Sequence, residues 1–485
     1  MFYRETVSAR SNQVAHSKLP KVSLSGMRPF LNQHFHLALN QLSLKHGDLF
    51  QMRVGSRNFV VLNEYSIIKE ALVKQQDTFN NRADFDVFKQ PPQSEFLELK
   101  SGEAWKKHRD ILMQVMHTFL AGKSDIHEDW IAEEAEGLVN KFLNSDGQPF
   151  NPELHIPLAS MNFMQRLVFS KTNTPDDIDF VETAYSIRRL PHGLLTGVIM
   201  SVIPKFWLPM YAFLNLKTIR AFLKGLGAVE NYIEKNIEQH RESFEPENLR
   251  DITDGLLKAS DELTESEKKR LNLSENDIIK GSLIQFLAAG TQLPNFILRW
   301  ALLYMIAYPE IQTKIQKELD EVVGREQKIC FKDRSKLPFT EACINEILRH
   351  SSTTTIPAVN YATISDTTLG DYFIPQNTPL IINYYSLTRD ERSWKDPEKF
   401  NPYRFLNENG ELRKDLLDKF YPFGIGPRRC LGEYLGRFQI FALFSNLLRR
   451  CKFEKIPGKK LSFEAEFPGP FVFPKEYKVI VEPRF

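Results

Sequence analysis

At 485 residues, with 42% hydrophobic residues and a net charge of +2, the chain can bury a large core and carries too little excess charge to hold nucleic acid by bulk attraction. Its 4 cysteines, Cys330, Cys343, Cys430 and Cys451, lie far apart with no C-x-x-C pair, which argues against a disulfide scaffold or a four-thiolate zinc site. Residues 1–45 read as a tail or leader. The first thirty lack an apolar run of about 20 residues that would span a membrane, and Arg4, Arg10, Lys18, Lys21 and Arg28 face Glu5 as the sole acid. That composition suits either an organelle transit peptide or a plain disordered tail. From 46 to 485 no linker divides the chain, so one domain is expected.

The spacing predicts strands over 49–55 and 58–62, then mostly helix from Ser66 onward. The apolar stretch 193–214, interrupted by Pro204, Lys205 and Pro209, suits a buried helix pair, a substrate lid or a peripheral membrane contact. Polar sequence from 245 to 276 reads as solvated connections with short helices. A long apolar helix follows over 277–307, then helices over 309–323 and 340–350. Strands are expected near 355–364 and 379–385, a long ordered loop over 390–421, a helix over 431–450 and a closing strand over 477–481.

One segment carries the chemistry: Phe423-Gly424-Ile425-Gly426-Pro427-Arg428-Arg429-Cys430-Leu431-Gly432. A glycine-rich loop here delivers one cysteine to the start of an apolar helix, where unpaired N–H groups and the positive dipole end favour a thiolate. Gly426 and Gly432 allow the backbone to approach a flat ligand, and Arg428 can pair with a carboxylate. The competing reading is a buried cysteine packed as a small hydrophobe.

The segment resembles the heme-binding signature F-x-x-G-x-R-x-C-x-G of cytochromes P-450 at every fixed position. The resemblance covers about His46 to the C-terminus, and its segment order is most similar to animal microsomal steroid- and drug-oxidising members. It implies a mainly α fold with small β-sheets (α+β), built as a triangular helical domain plus a smaller β-rich region. It implies heme b as cofactor, with Cys430 ligating the iron as thiolate and favouring O–O cleavage. Phe423, Gly426, Arg428 and Gly432 are then heme contacts, as are Trp105 and Arg109, four apart on one helix face. Asn360 stands where the family often has a histidine or arginine for a heme propionate. Glu346 and Arg349 resemble the family's E-x-x-R pair, with Arg404 as the third member of a structural network around the cysteine loop. Lys106 and Lys107 could help dock an acidic electron donor, an NADPH-dependent reductase or a ferredoxin-type protein.

The long central helix departs from the family pattern. Typical members carry A-G-x-[D/E]-T, whose acid and alcohol relay protons for O–O cleavage; this chain reads Ala289-Gly290-Thr291-Gln292-Leu293-Pro294. Neither Gln292 nor Leu293 supplies a proton at neutral pH. Pro294 cannot donate to the Gly290 carbonyl, so a kink and a spare acceptor are expected there. Gly290, Thr291 and Gln292 are thus the catalytic candidates, and Phe286, Ala289, Leu293 and Ile356 the candidate walls of a pocket for a lipophilic small molecule. Three functions compete: a reductase-fed monooxygenase, a reductase-independent fatty-acid hydroperoxide isomerase or dehydratase, and a heme-bearing binding protein without turnover.

Overall fold

Every residue from Phe296 to Ile306 is buried, and all but Arg299 are apolar or aromatic. A helix with no polar face has nowhere to go but the middle of the molecule. Around it the computed structural model describes residues 19–22, 35–55, 57–85, 89, 93–120, 124–174, 176–203, 205–357, 360–467 and 470–485. The principal helices, in chain order, are α1 (Phe35–His46), α2 (Gly102–Leu120), α3 (Ser124–Leu143), α4 (Ile156–Phe169) and α5 (Ile178–Val202). They continue as α6 (Leu216–Glu242), α7 (Ser282–Ala307), α8 (Pro309–Val322), α9 (Pro338–Ser351) and α10 (Glu433–Arg450). The central helix is α7, packed on α4, α9 and α10. It follows a π-turn, Asp277–Gly281, and ends at Tyr308 because Pro309 starts α8, a position where its missing N–H costs nothing.

Among the described residues the β-rich part is one six-stranded sheet and three two-stranded ones. The strands are β1 (Lys21–Val22), β2 (Leu49–Val54), β3 (Arg57–Leu62), β4 (Asn81–Arg82), β5 (Tyr361–Ala362), β6 (Thr367–Leu369) and β7 (Tyr372–Ile374). After them come β8 (Pro379–Ile382), β9 (Cys451–Glu454), β10 (Ala465–Glu466), β11 (Phe473–Pro474) and β12 (Ile480–Pro483). The large sheet runs β1-β2-β3-β8-β5-β4. Its fully apolar centre, Val60 and Val61 of β3 beside Leu380 and Ile381 of β8, sits in parallel register. The sheet matters to function because β4 and β5 hang from its edge and carry Arg82 and Tyr361 inward.

The fold is the expected α+β arrangement, with several boundaries moved. The folded part begins before position 46: β1 pairs with β2, and Leu39 of α1 is fully buried. Positions 1–18 and 23–34, where the tail or transit-peptide reading falls, lie outside the described residues. Within the stretch expected to be solvated, the helix Ile252–Asp261 buries Ile252, Leu256 and Leu257, so that polar sequence hides a core face. Strand 355–364 shrinks to β5, and β8 stops at Ile382 because Asn383 caps a short helix, Tyr384–Arg389.

Candidate functional site

The loop before α10 is closed by its own backbone. The Cys430 N–H donates to the Phe423 carbonyl at 2.9 Å and the Arg429 N–H to Gly426 at 3.1 Å. Gly426 has φ +78°, and a Cβ there would lie 2.2 Å from the Leu72 carbonyl oxygen, so only glycine fits this turn. Gly436 lets the Phe423 ring lie 3.3 Å from where its own Cβ would be. These constraints hold the Cys430 thiol toward a cavity of about 280 Å³ that also takes in α2 and α7. The enclosing protein raises the thiol's pKa, while the Gly432 N–H and the Arg109 cation pull it down. Those two influences are the ones that stabilise a thiolate once a metal takes its charge.

Four arginines line the same cavity, Arg82, Arg109, Arg428 and Arg429. Arg428 stacks over the buried Trp105 ring at 4.1 Å and donates to Asn80, from Nε to Oδ1 at 2.9 Å and from Nη2 to the carbonyl at 3.0 Å. Its Nη1 is buried without a hydrogen-bond partner. Burial, with Arg82 and Arg109 adding repulsion, pushes Arg428 down to about 8. Arg109 donates to the Arg429 carbonyl at 3.0 Å. Burying positive charge at one rim is costly unless an anion arrives to offset it. A thiol on one wall, cationic donors at the rim and small residues between them would hold a flat iron-bearing macrocycle with carboxylate substituents, so the residues present fit heme.

Opposite the cysteine, Phe286, Ala289, Gly290, Leu293, Pro294 and Ile297 of α7 line the cavity, as helical spacing dictates. Gly290 also accommodates Met164 of α4, whose sulfur would lie 2.6 Å from a Cβ. Thr291 and Gln292 fall on the other side of α7, off the cavity. Gln292 is buried and its Nε2 donates to the Ile187 carbonyl of α5, while the Thr291 hydroxyl is buried without a partner. Of the three catalytic candidates, only Gly290 therefore reaches the cavity. The helix runs on through Pro294 as one element, so the proline withholds one hydrogen bond from Gly290 without ending it.

Two further expectations need correcting by geometry. Asn360 does not reach the cavity: it is buried in the sheet, where its Nδ2 donates to the Leu380 carbonyl at 3.0 Å. Ile356 packs against the core under the sheet rather than lining the cavity. The sequence reading also missed Arg82, Gln285, Gln439 and Glu98, all of which line it. Arg82 directly follows Asn80-Asn81, and pairing of β4 with β5 is what brings it in.

Glu346 and Arg349 are completely buried and joined at 2.7 Å through both guanidinium edges, Nε to Oε2 and Nη2 to Oε1. Arg404 Nε reaches the same carboxylate at 3.1 Å, and the Asn401 N–H does so at 2.8 Å. Arg349 also donates to the carbonyls of Thr388 and Pro397. The trio thus clamps the long segment after residue 390, which leads to the cysteine loop. Lys106 and Lys107 are exposed on α2, turned away from Trp105.

Comparison with known proteins agrees with this arrangement. A family model described as Cytochrome P450 matches residues 18–481. The chain is 36% identical to the polybrominated aromatic compounds synthase of Pseudoalteromonas luteoviolacea, covering 96% of this chain and 95% of that one. It is 33% identical to cytochrome P450 1A5 of Gallus gallus, covering 88% and 81%, and 33% identical to cytochrome P450 1A1 of Cavia porcellus, covering 89% and 84%.

Proposed function

This chain belongs to the cytochrome P450 family, and from that premise we propose that it is a reductase-fed monooxygenase of a small lipophilic ring compound. As a family member it is an enzyme of heme-thiolate oxidation with heme b as cofactor. Heme, once bound, supplies an iron whose thiolate ligand favours O–O cleavage. The observation that carries the reading is the facing of two walls across one cavity: Cys430 on one side, and Phe286, Ala289, Gly290 and Leu293 on the other. The small Ala289 leaves room for a substrate, and Phe286 and Leu293 exclude water from it. Arg109 and Arg428 would hold the carboxylates of bound heme at the rim, with Arg82 beside them. A ring compound suits these walls, and one relative is named for making aromatic products. Lys106 and Lys107 offer an exposed cationic face for an acidic electron donor. Phe206, Trp207, Phe213 and Leu214, all exposed between α5 and α6, supply an apolar patch for peripheral contact with a membrane surface.

The hydroperoxide reading keeps one observation in its favour: among the described residues the cavity face of α7 carries no acid, and its hydroxyl, that of Ser282, is bonded to His108 at 2.8 Å. Two incubations separate the readings. Purified holoprotein given a polyunsaturated fatty-acid hydroperoxide without reductase should leave its diene absorbance unchanged. With NADPH, reductase and hydrophobic aromatic compounds, at least one should raise NADPH consumption severalfold and yield an oxygenated product. Rapid loss of the hydroperoxide without reductase would replace the monooxygenase reading with the isomerase one.

A further inference from the structure

Between the sheet edge and α2, residues 97–99 form a single 3-10 turn. It is pinned to the central helix from two sides. The Leu97 N–H donates to Gln285 Oε1 at 2.8 Å, one turn before Ala289. Just upstream, Gly281 makes room for the backbone of Glu95, whose carbonyl oxygen would lie 2.5 Å from a Cβ at that position. From the sheet edge, Arg82 Nε donates to the backbone carbonyl of Glu98 at 2.8 Å. The turn is therefore part of the α7 wall, and Glu98 lines the cavity together with Gln285 and Phe286.

That carboxyl is unusual in its surroundings. Leu97, Leu112, Phe286, Ala289 and Leu293 share the lining with it, together with Gln285 and the arginines. No described residue donates a hydrogen bond to it or pairs with it within ion-pair distance; Arg82, whose charge acts on it, bonds the Glu98 main chain. Glu98 is half-buried, so its carboxyl gives up part of its water where it lines the cavity and, without a protein donor, regains those bonds from a ligand. Carboxyls with a structural task look different in this molecule: Glu346 and Glu153 are met by guanidiniums at 2.7 and 2.8 Å.

We propose that Glu98 is a substrate-recognising carboxyl, which selects hydrophobic ring compounds bearing a neutral hydroxyl by accepting its hydrogen bond. This deepens the reading of the cavity as a substrate site and rests on it. A neutral donor is favoured over a cation because the guanidinium of Arg82, bonded to the carbonyl of Glu98 itself, stands beside the carboxyl and repels positive charge. Burial raises the carboxyl's pKa and the charge of Arg82 opposes the rise. Either protonation form serves, since a carboxylate accepts the hydroxyl proton and a carboxylic acid can both accept and donate. No bond breaks in this step, so recognition is separable from oxidation.

Binding rather than turnover tests it. Equilibrium dialysis of the holoprotein compares 4-phenylphenol, its methyl ether and the matching trimethylammonium cation, which share a ring frame and differ at one group. Wild type should bind the phenol about tenfold more tightly than the ether, the scale of a hydrogen bond to a buried charged or polar group. Glu98→Leu should bring that ratio to within about twofold while leaving the ether's affinity equal or better. Glu98→Gln, nearly isosteric, should retain part of the preference, and it carries the test if the leucine variant fails to take up heme. An unchanged phenol-to-ether ratio in the variants overturns the proposal, as does a wild-type ratio near one or tightest binding of the cation. Failure of reductase-fed turnover with a preserved, Glu98-dependent ratio would instead overturn the monooxygenase reading alone.

Discussion

The carboxylate of Glu346 accepts from Arg349, Arg404 and the Asn401 N–H while fully cut off from water. Two charges in such a place gain little over a well-packed apolar pair, but losing one of them strands the other. Glu346→Gln should therefore lower unfolding stability by about 3–5 kcal/mol, read by denaturant titration of the holoprotein. A loss below about 1 kcal/mol would show that Arg349 is satisfied by the carbonyls of Thr388 and Pro397 alone. The spacing of Glu346 and Arg349 already places them on one helix face, and the family resemblance adds Arg404. What the sequence does not disclose is burial, because identical pairs crown many solvated helices. Glu98 is the reverse case. A lone acid between two leucines reads as a surface residue, and only the pinning of its turn to Gln285 turns it inward.

Along α7 the helical period sorts the residues correctly into two sides, but not which side faces the cysteine. That choice belongs to packing: α5 presents the Ile187 carbonyl, and Gln292 satisfies it. The family's acid position therefore serves here as an interhelical tie. Helix ends are legible where chemistry forces them, as at Pro309, and shift where a cap decides, as at Asn383. Pro294 withholds an N–H from Gly290 in the interior of this helix, at a cost of about 3 kcal/mol relative to a hydrogen-bonded residue. Its ring is also buried, so Pro294→Ala exchanges some packing for a bond. The net expectation is a stabilisation of about 1–2 kcal/mol in denaturant titration. An equal or lower stability would mean that the ring's packing outweighs the missing bond.

Over the whole molecule, the assembly of the large sheet is least legible in the chain. The parallel pairing of Val60 with Leu380 joins strands more than three hundred residues apart, and β1, β4 and β5 are two residues each, too short for periodicity to mark. The pairing of β4 with β5 nonetheless delivers Arg82 to the cavity. Among the described residues no helix is long and apolar enough to cross a membrane, while Phe206, Phe213 and Leu214 are each more than 70% exposed. Replacing Phe206, Trp207, Phe213 and Leu214 with serine should cut cosedimentation with phosphatidylcholine vesicles at least severalfold and leave heme content unchanged; equal cosedimentation would remove the patch from membrane contact. Everything above depends on one thiol. Of the four cysteines, Cys343 and Cys451 are buried with raised pKa values, Cys330 is half-buried and raised as well, and Cys430 alone faces the cavity. The carbon-monoxide difference spectrum of the reduced holoprotein tests this directly. Wild type and Cys330→Ala should show the long-wavelength thiolate Soret band, and Cys430→Ala should lose that band, with or without loss of heme. A thiolate band that persists in Cys430→Ala would contradict the account.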